Sequence, residues 1–571
     1  MAWKRLHRLV FALLLLASLG LYQGCSSNNN STDPAFISAD LENLIYKHDL
    51  YFSLDYRAQF IEIVFSNNLD PASVPGNIDL YDKDGTLSGS FIVEVEGDAV
   101  FISFHEGYQL TPGWQYFVSI SERVESSSGH PMREDVIFEI RTTSRNTLEE
   151  DAGTGGGNQV ERTSVVCISD LHMGEERAVE RGYSWFIENA DALEHFVQRV
   201  QDDETVRELV ILGDMFDEWV IPFDTKPFDG AVTNSREYFH AVRNATTNAP
   251  IFDTLAEIAS GGEIHLVYVR GNHDMLTDPA TLDELLPGVF FMGQIDGLGS
   301  YSPVEEVIME HGHRYDFFNS PQPLVNTGHI LPPGFFVSRL WAAGMEAEGD
   351  QEGALSAEET DEGPFAFGDK EVTFPLAWDF ALIYTEAQFP ALDPPSLYDP
   401  VILMSGIDGY ADPFSFEGAK AMYVDGDIEA LWPDTQDQHG VQAIMPVAIS
   451  ILNGHSDLSV QAEVEYLEDE ERGIRIVVFG HTHEPMIDVY PPGDQHRGIY
   501  ANTGSWVNEA SAGYIGGSAY DVRTYVVYSP AAWTGSDLDV VTLYQYNLSD
   551  DGTTYKAIKL AEESLKVGQS P

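Results

Sequence analysis

From residue 163 onward, five apolar runs each stop at a polar segment of the same kind. The segments are Ser169-Asp170-Leu171-His172, Gly213-Asp214-Met215-Phe216-Asp217, Gly271-Asn272-His273-Asp274, Glu310-His311-Gly312-His313-Arg314 and Gly480-His481-Thr482-His483. The runs that precede them, 163–169, 208–213, 264–270, 305–310 and 473–480, have the length and apolar continuity of buried strands. Helical spacing falls between them, at 190–201 and 251–259. Strands alternating with helices predict α/β architecture, and polar residues placed just after the strands lie where open sheets of that class gather their ligands.

The residue types narrow the chemistry. Carboxylate, imidazole and amide oxygen together suit borderline divalent ions such as Mn, Fe or Zn. Two such ions about 3.5 to 4 Å apart stabilise both the attacking and the leaving oxygen of a phosphoryl group, provided one carboxylate bridges them. A lone Asp-x-His or His-x-His is usually an ordinary surface or core pair. Five segments in this order, each behind a strand, are a different matter.

The order resembles that of the calcineurin-like metallophosphoesterases, whose pattern is D-x-H, G-D-x-x-D, G-N-H-D or G-N-H-E, a later histidine before Gly, and G-H-x-H. The resemblance covers 163 to about 317 and 470 to about 510. His311-Gly312-His313 and Tyr500-Ala501-Asn502-Thr503-Gly504-Ser505-Trp506 are closest to the diacylglucosamine pyrophosphatase-like branch. It implies an αββα sandwich and two metal ions. By motif, Asp170, His172 and His483 would hold the first ion, Asp214 would bridge, and Asn272, His311 and His481 would hold the second. His311, directly before Gly, matches the family ligand, with His313 as the alternative. His273 would approach the phosphate and protonate the leaving oxygen, oriented by Asp274. Asp217 is implied to stand behind the ligands, and Arg314 either binds phosphate or bridges acids. Cys167, inside the first strand, reads as a small buried hydrophobe.

Residues 46–144 have a different pattern. Alternation with period two at Phe91, Val93, Val95, at Val100, Ile102, Phe104, and at Tyr116, Val118, Ile120, broken by turns such as Asp84-Gly85 and Thr111-Pro112-Gly113, predicts an all-β sandwich. The run from Phe65 to Val74, followed by Leu110-Thr111-Pro112-Gly113 and Tyr116, is similar to bacterial Ig-like modules of cell-envelope proteins, which implies a spacer or a surface that docks to an envelope component. Residues 145–162, with Gly153-Thr154-Gly155-Gly156-Gly157, read as a linker.

The N-terminus reads as an export signal over 1–24: Lys4, Arg5 and Arg8, then an apolar or small run from Leu9 to Leu21 that is too short to span a bilayer. Leu21-Tyr22-Gln23-Gly24-Cys25 resembles a bacterial lipobox, with Cys25 as the lipid-bearing residue and 25–45 as a flexible tether. This resemblance implies a lipid anchor in the cell envelope, at the outer membrane of a Gram-negative bacterium. The chain carries 92 Asp and Glu against 30 Lys and Arg, a formal net charge of −62. That balance argues against a protein whose main task is to coat nucleic acid, which needs clustered Lys and Arg, and anionic lipid would repel it, so a covalent lipid accounts for attachment better than a basic patch.

Between His313 and His481 lie 167 residues. The insertion proper, 318–469, contains an acidic stretch at 345–363 that reads as a solvated loop, while Phe335 to Trp341 and Trp378 to Tyr384 are aromatic enough to pack. It is expected to cap the metal cleft, the alternative being a remote satellite. The phosphoesterase domain is expected over 163–548, with a tail over 549–571. The functional expectation is a lipid-anchored phosphohydrolase using metal-bound hydroxide on a phosphorylated small molecule or lipid. The alternatives are a lipid-linked or UDP-sugar pyrophosphatase and a non-catalytic envelope binding protein.

Overall fold

The computed structural model describes residues 36–142 and 162–567, apart from short internal stretches, of which 105–114, 223–234, 349–371 and 509–520 are the longest. The export signal, Cys25 and the glycine-rich stretch 145–161 lie outside the described residues. The chain divides into two compact units, Met1–Thr143 and Ser144–Pro571.

In the first unit a four-stranded sheet runs in the order Phe36–Asp40, Phe60–Phe65, Ala99–Phe104, Phe91–Glu96. A six-stranded sheet runs Ile45–Lys47, Tyr51–Leu54, Val136–Thr142, Gln115–Ile120, Ile78–Asp82, Gly85–Thr86. The alternation read from the sequence has its physical cause here: Ile61, Ile63, Val100 and Ile102 of one sheet and Ile78, Leu80, Val118 and Ile120 of the other are fully or nearly fully buried in one shared core. The strand Phe36–Asp40 falls inside the stretch read as a tether, and it pairs antiparallel with Phe60–Phe65.

The second unit has two mixed sheets. The larger runs Phe290–Phe291, His265–Val269, Val206–Leu212, Ser164–Ile168, Thr524–Ser529, Leu538–Leu548, Tyr555–Lys566. The smaller runs Ser300–Tyr301, Val307–Glu310, Ile476–Phe479, Gly498–Asn502, Met486–Tyr490. Alternate side chains divide between two faces, as strand geometry requires. Val165, Cys167, Val210 and Val267 meet Val307, Met309, Ile476 and Val478 between the sheets. Val166, Ile168, Leu209 and Ile211 turn outward to a helical layer that includes Ala190–Asp202 and Ala249–Gly261. Val477 and Phe479 turn outward to Leu458, Ala462 and Leu467. The layering is therefore α-β-β-α. Cys167 is buried with its Sγ 3.6 Å from Met309 Sδ.

Two further expected boundaries differ. Residues Tyr555–Lys566, read as tail, pair antiparallel along Leu538–Leu548 and form the sheet edge. Their side chains are mostly exposed and rich in Lys and Glu, with Leu565 buried; charge on an edge strand discourages further pairing and hides the strand from a hydrophobic pattern. The acidic stretch from 345 begins inside a helix, Pro333–Glu348. The insertion is not a remote satellite. Phe335, Phe336, Trp341, Trp378, Phe416, Tyr423 and Trp432 share one core with Phe216, Trp219 and Tyr238 beside the strand ends. Among the described residues no helix is long and apolar enough to cross a membrane.

Candidate metal centre

The parallel strands of both sheets end on the same side, and the five polar segments follow them directly. The backbone there is constrained. Asp170, His172, Asp214, His481 and His483 all have positive φ, between 48° and 72°. For residues with a Cβ this region costs on the order of 1 kcal/mol or more each, and such strain persists where function holds it. Gly271 allows the closest approach: a Cβ there would fall 2.0 Å from Asp214 Oδ1.

Asp170 Oδ2 accepts from the His481 amide at 3.0 Å and from Ser169 Oγ, which ties the ends of the two sheets together. Its other oxygen, Oδ1, is buried with no hydrogen-bond partner. Around that oxygen stand His483 Nε2 at 3.2 Å and the Nε2 atoms of His172 and His311 at 3.9 Å each. Asp214 Oδ1 accepts from the His273 amide at 2.8 Å. Asp214 Oδ2 lies 3.3 Å from His311 Nε2 and 3.7 Å from His172 Nε2, so one oxygen is reached from two sides.

The tautomers follow from the outer partners. His311 Nδ1 donates to the Leu212 carbonyl at 2.6 Å, His172 Nδ1 to Asp217 at 3.3 Å, and His481 Nε2 to Asp316 at 3.1 Å. Each ring is thereby left with a bare nitrogen facing inward. His311 Nε2 and His481 Nδ1 each lie 3.0 Å from Asn272 Oδ1. The Asn272 amide nitrogen donates to Asn319 Oδ1 at 3.4 Å, which turns its oxygen toward the rings. His172 Nε2 lies 3.2 Å from His483 Nε2. Acceptors facing acceptors, with an orphaned carboxylate oxygen among them, fit a pair of cations.

The electrostatics agree. Burial opposes charge on the carboxyls of Asp170 and Asp214, yet His311 and neighbouring imidazoles hold both below the usual range. Burial also opposes a charge on His311, but Asp214 and Asp170 raise it to about 9, so these carboxylates demand a positive charge beside them. His172 and His481 are pulled down chiefly by burial and stand ready as neutral ligands. The site residues thus form buried His and Asp clusters that fit two metal ions.

His311, not His313, faces the centre. His313 turns away and donates from Nε2 to the Gly297 carbonyl at 3.1 Å. His273 is oriented by Asp217, not by Asp274 as the motif implied: its Nδ1 donates to Asp217 Oδ1 at 3.0 Å. Asp274 instead accepts from the amides of Met215 at 2.8 Å and Gly271 at 2.8 Å and from the Tyr268 hydroxyl at 2.5 Å, pinning two loops together. Burial opposes a charge on His273, but Asp217 and Asp214 raise its pKa. Arg314 is engaged by protein partners. It is buried, ion-paired with Glu310 four residues back in sequence, and donates to the His439 carbonyl at 3.0 Å. Asp316, Asn319 and Trp219 were not singled out from the sequence. Asp316 follows the His-Gly-His run by three residues, and only its spacing could have drawn attention to it.

Residues 163–358 match the family described as calcineurin-like phosphoesterase. This segment is a calcineurin-like phosphoesterase domain, and the enzyme is a metal-dependent phosphoesterase, a hydrolase. Among solved structures the chain is similar to a dimetal phosphatase from Danio rerio, at 10% identity over 71% of this chain and 99% of that one, with a TM-score of 0.28. It is similar to CopC from Methylosinus trichosporium OB3b, at 15% identity over 20% of this chain and 98% of that one, with a TM-score of 0.15. It is also similar to the N-terminal part of the bacterial S-layer protein SbsC, at 15% identity and a TM-score of 0.15, over 25% of this chain and 29% of that one. No curated protein matches.

Proposed function

We propose that the protein is an exported, lipid-anchored dinuclear phosphohydrolase that cleaves phosphate esters or anhydrides of small molecules or lipids. The observation that carries the catalytic part is Asp214 Oδ2, a single oxygen within 3.3 Å of His311 and 3.7 Å of His172. Asp170, His172, Asp214 and His483 would hold one ion, and Asp214, Asn272, His311 and His481 the other. When bound, two divalent ions such as Mn, Fe or Zn supply a water nucleophile at neutral pH and neutralise charge on the phosphoryl oxygens. His273, at the rim of the site and 8% exposed, gives its Nε2 proton to the leaving oxygen. Asp217 keeps the Nδ1 proton in place so that Nε2 points outward. The global charge of −62 does not exclude an anionic substrate, because salt screens distant surface charge while the two ions make the centre locally cationic.

The reading of the address rests on the sequence: a short apolar run behind three cations, then Gly24-Cys25 and a polar stretch. The first unit, read as Ig-like, serves as a spacer that holds the enzyme off the membrane. Asp214→Ala and Asn272→Ala in Mn-loaded protein should abolish turnover across aryl phosphates, phosphodiesters, nucleoside diphosphate sugars and lipid phosphates. Full turnover in both variants contradicts the catalytic assignment. Cys25→Ser should release the protein from the membrane fraction, and retention there contradicts the anchor.

A further inference from the structure

The geometry points to Trp219 as a positioning residue for His273, and to the insertion helix Pro333–Glu348 as the element that holds Trp219 in place. The inference rests on the phosphoesterase reading of the site. The His273 ring stacks on the Trp219 indole, with centroids 4.4 Å apart and planes at 25°. Asp217 fixes one edge of the imidazole, through Nδ1 at 3.0 Å, and the indole face blocks rotation of the ring about its attachment. Together they set the direction of Nε2, the atom that must meet the leaving oxygen.

Trp219 is itself held. Phe335 stands edge-on to it, centroids 5.9 Å apart at 84°. Arg339, four residues further along the same helix face, donates from Nη1 to the carbonyls of Trp219 at 2.9 Å and Ile221 at 2.6 Å. The amides of Trp219 and Val220 donate to Asp217 Oδ1 at 2.9 and 3.0 Å, so the loop 217–221 closes around the carboxylate that orients His273. Arg339 is fully buried, and both bonds leave one nitrogen, Nη1, whose two N–H directions are fixed by the plane of the guanidinium, whereas a lysine ammonium rotates freely. The insertion therefore positions the catalytic apparatus, through Trp219 and then His273, two residues removed from the reacting atoms.

The signature of such a role is leaving-group dependence. Hydrolysis forms a P–O bond to the oxygen of water and breaks the P–O bond to the leaving group. Water returns a proton to solvent, His273 gives its Nε2 proton to the leaving oxygen, and solvent reprotonates the ring. An alkoxide needs that proton far more than a nitrophenolate does. The experiment compares kcat and KM for p-nitrophenyl and alkyl esters of phosphate in Mn-loaded full-length wild type, Trp219→Leu, Arg339→Lys and His273→Asn. Metal content, the inhibition constant of inorganic phosphate and the His273 ring-proton shifts by NMR are measured alongside.

We expect Trp219→Leu to lower kcat on the alkyl ester about 10- to 100-fold, and on the nitrophenyl ester by less than about three-fold. Arg339→Lys should give the same pattern with a smaller loss. KM, phosphate inhibition and metal content should stay at wild-type values, while the His273 ring protons lose the shift imposed by the stacked indole. Should Trp219→Leu fail to fold, Trp219→Phe and Arg339→Lys carry the comparison. Equal losses on the two esters, or no loss, in the Trp219 and Arg339 variants overturn the inference while His273→Asn remains selective against the alkyl ester. An unselective His273→Asn, or a wild type that hydrolyses neither ester, instead overturns the assignment of His273 on which the inference rests.

Discussion

Asp316 Oδ2 lies 3.1 Å from His481 Nε2, on the edge of the ring opposite the one that faces Asn272. The carboxylate thus decides which nitrogen of His481 is bare. Partners of this kind typically contribute about 10- to 100-fold in metal affinity. Asp316→Ala should weaken the second ion by that factor and leave the first in place. Titration of metal-free protein with Mn, followed by calorimetry, checks it; two unchanged binding steps would count against the role.

The two histidines of His311-Gly312-His313 should behave differently. His311→Ala should remove one ion and turnover together. His313→Leu should keep both ions and lose about 1 to 3 kcal/mol of stability, because its ring is buried and bonded to the Gly297 carbonyl. Elemental analysis and denaturant unfolding of the two variants separate them.

Arg314 is expected to matter for folding and not for substrate. Its partner Glu310 is 1% exposed and also accepts from the hydroxyls of Tyr315 at 2.8 Å and Tyr466 at 2.7 Å. Arg314→Met leaves that carboxylate without its countercharge and should cost about 3 to 5 kcal/mol. KM should stay near the wild-type value. A raised KM with unchanged stability would return Arg314 to the phosphate.

Much of the centre was legible because its ligands sit where strands stop. Asp170, Asp214, Asn272, His311 and His481 each follow a continuous apolar run, and the order of their motifs, matched to the calcineurin-like pattern, pointed to one end of the sheets. The partners behind them were not legible. Asp217 and Asp274 are both carboxylates near a ligand in sequence, and only the fold reveals that the first orients His273 while the second ties amides of two loops. Trp219 and Arg339 lie 120 residues apart in sequence, and no local pattern links an indole to a guanidinium at that separation. Tyr555–Lys566 escaped for a different reason: an edge strand keeps most of its side chains in solvent, so its charges read as a tail.

The contribution of one buried acid to stability should fall as pH rises from about 4.3 to about 7, for a reason unrelated to the metal centre. Burial pushes the Glu208 carboxyl up to about 7, with the Tyr301 hydroxyl donating to it at 2.7 Å. The unfolded chain ionises this group at about 4.3. Its folded-state pKa is the higher one, so its stabilising contribution is complete below about 4.3 and is lost progressively as pH rises to 7. The loss is on the order of 4 kcal/mol. Glu208→Gln should flatten the pH dependence of unfolding over that window, measured by chemical denaturation at several pH values. An unchanged slope would contradict the buried acid.

The central claim is that two ions share Asp214. Anomalous diffraction at the manganese edge, from crystals of the full chain grown with Mn, tests it most directly. The account predicts two peaks about 3.5 to 4 Å apart, one beside Asp170, His172 and His483, the other beside Asn272, His311 and His481, with Asp214 between them. A single peak, or peaks remote from Asp214, would contradict it.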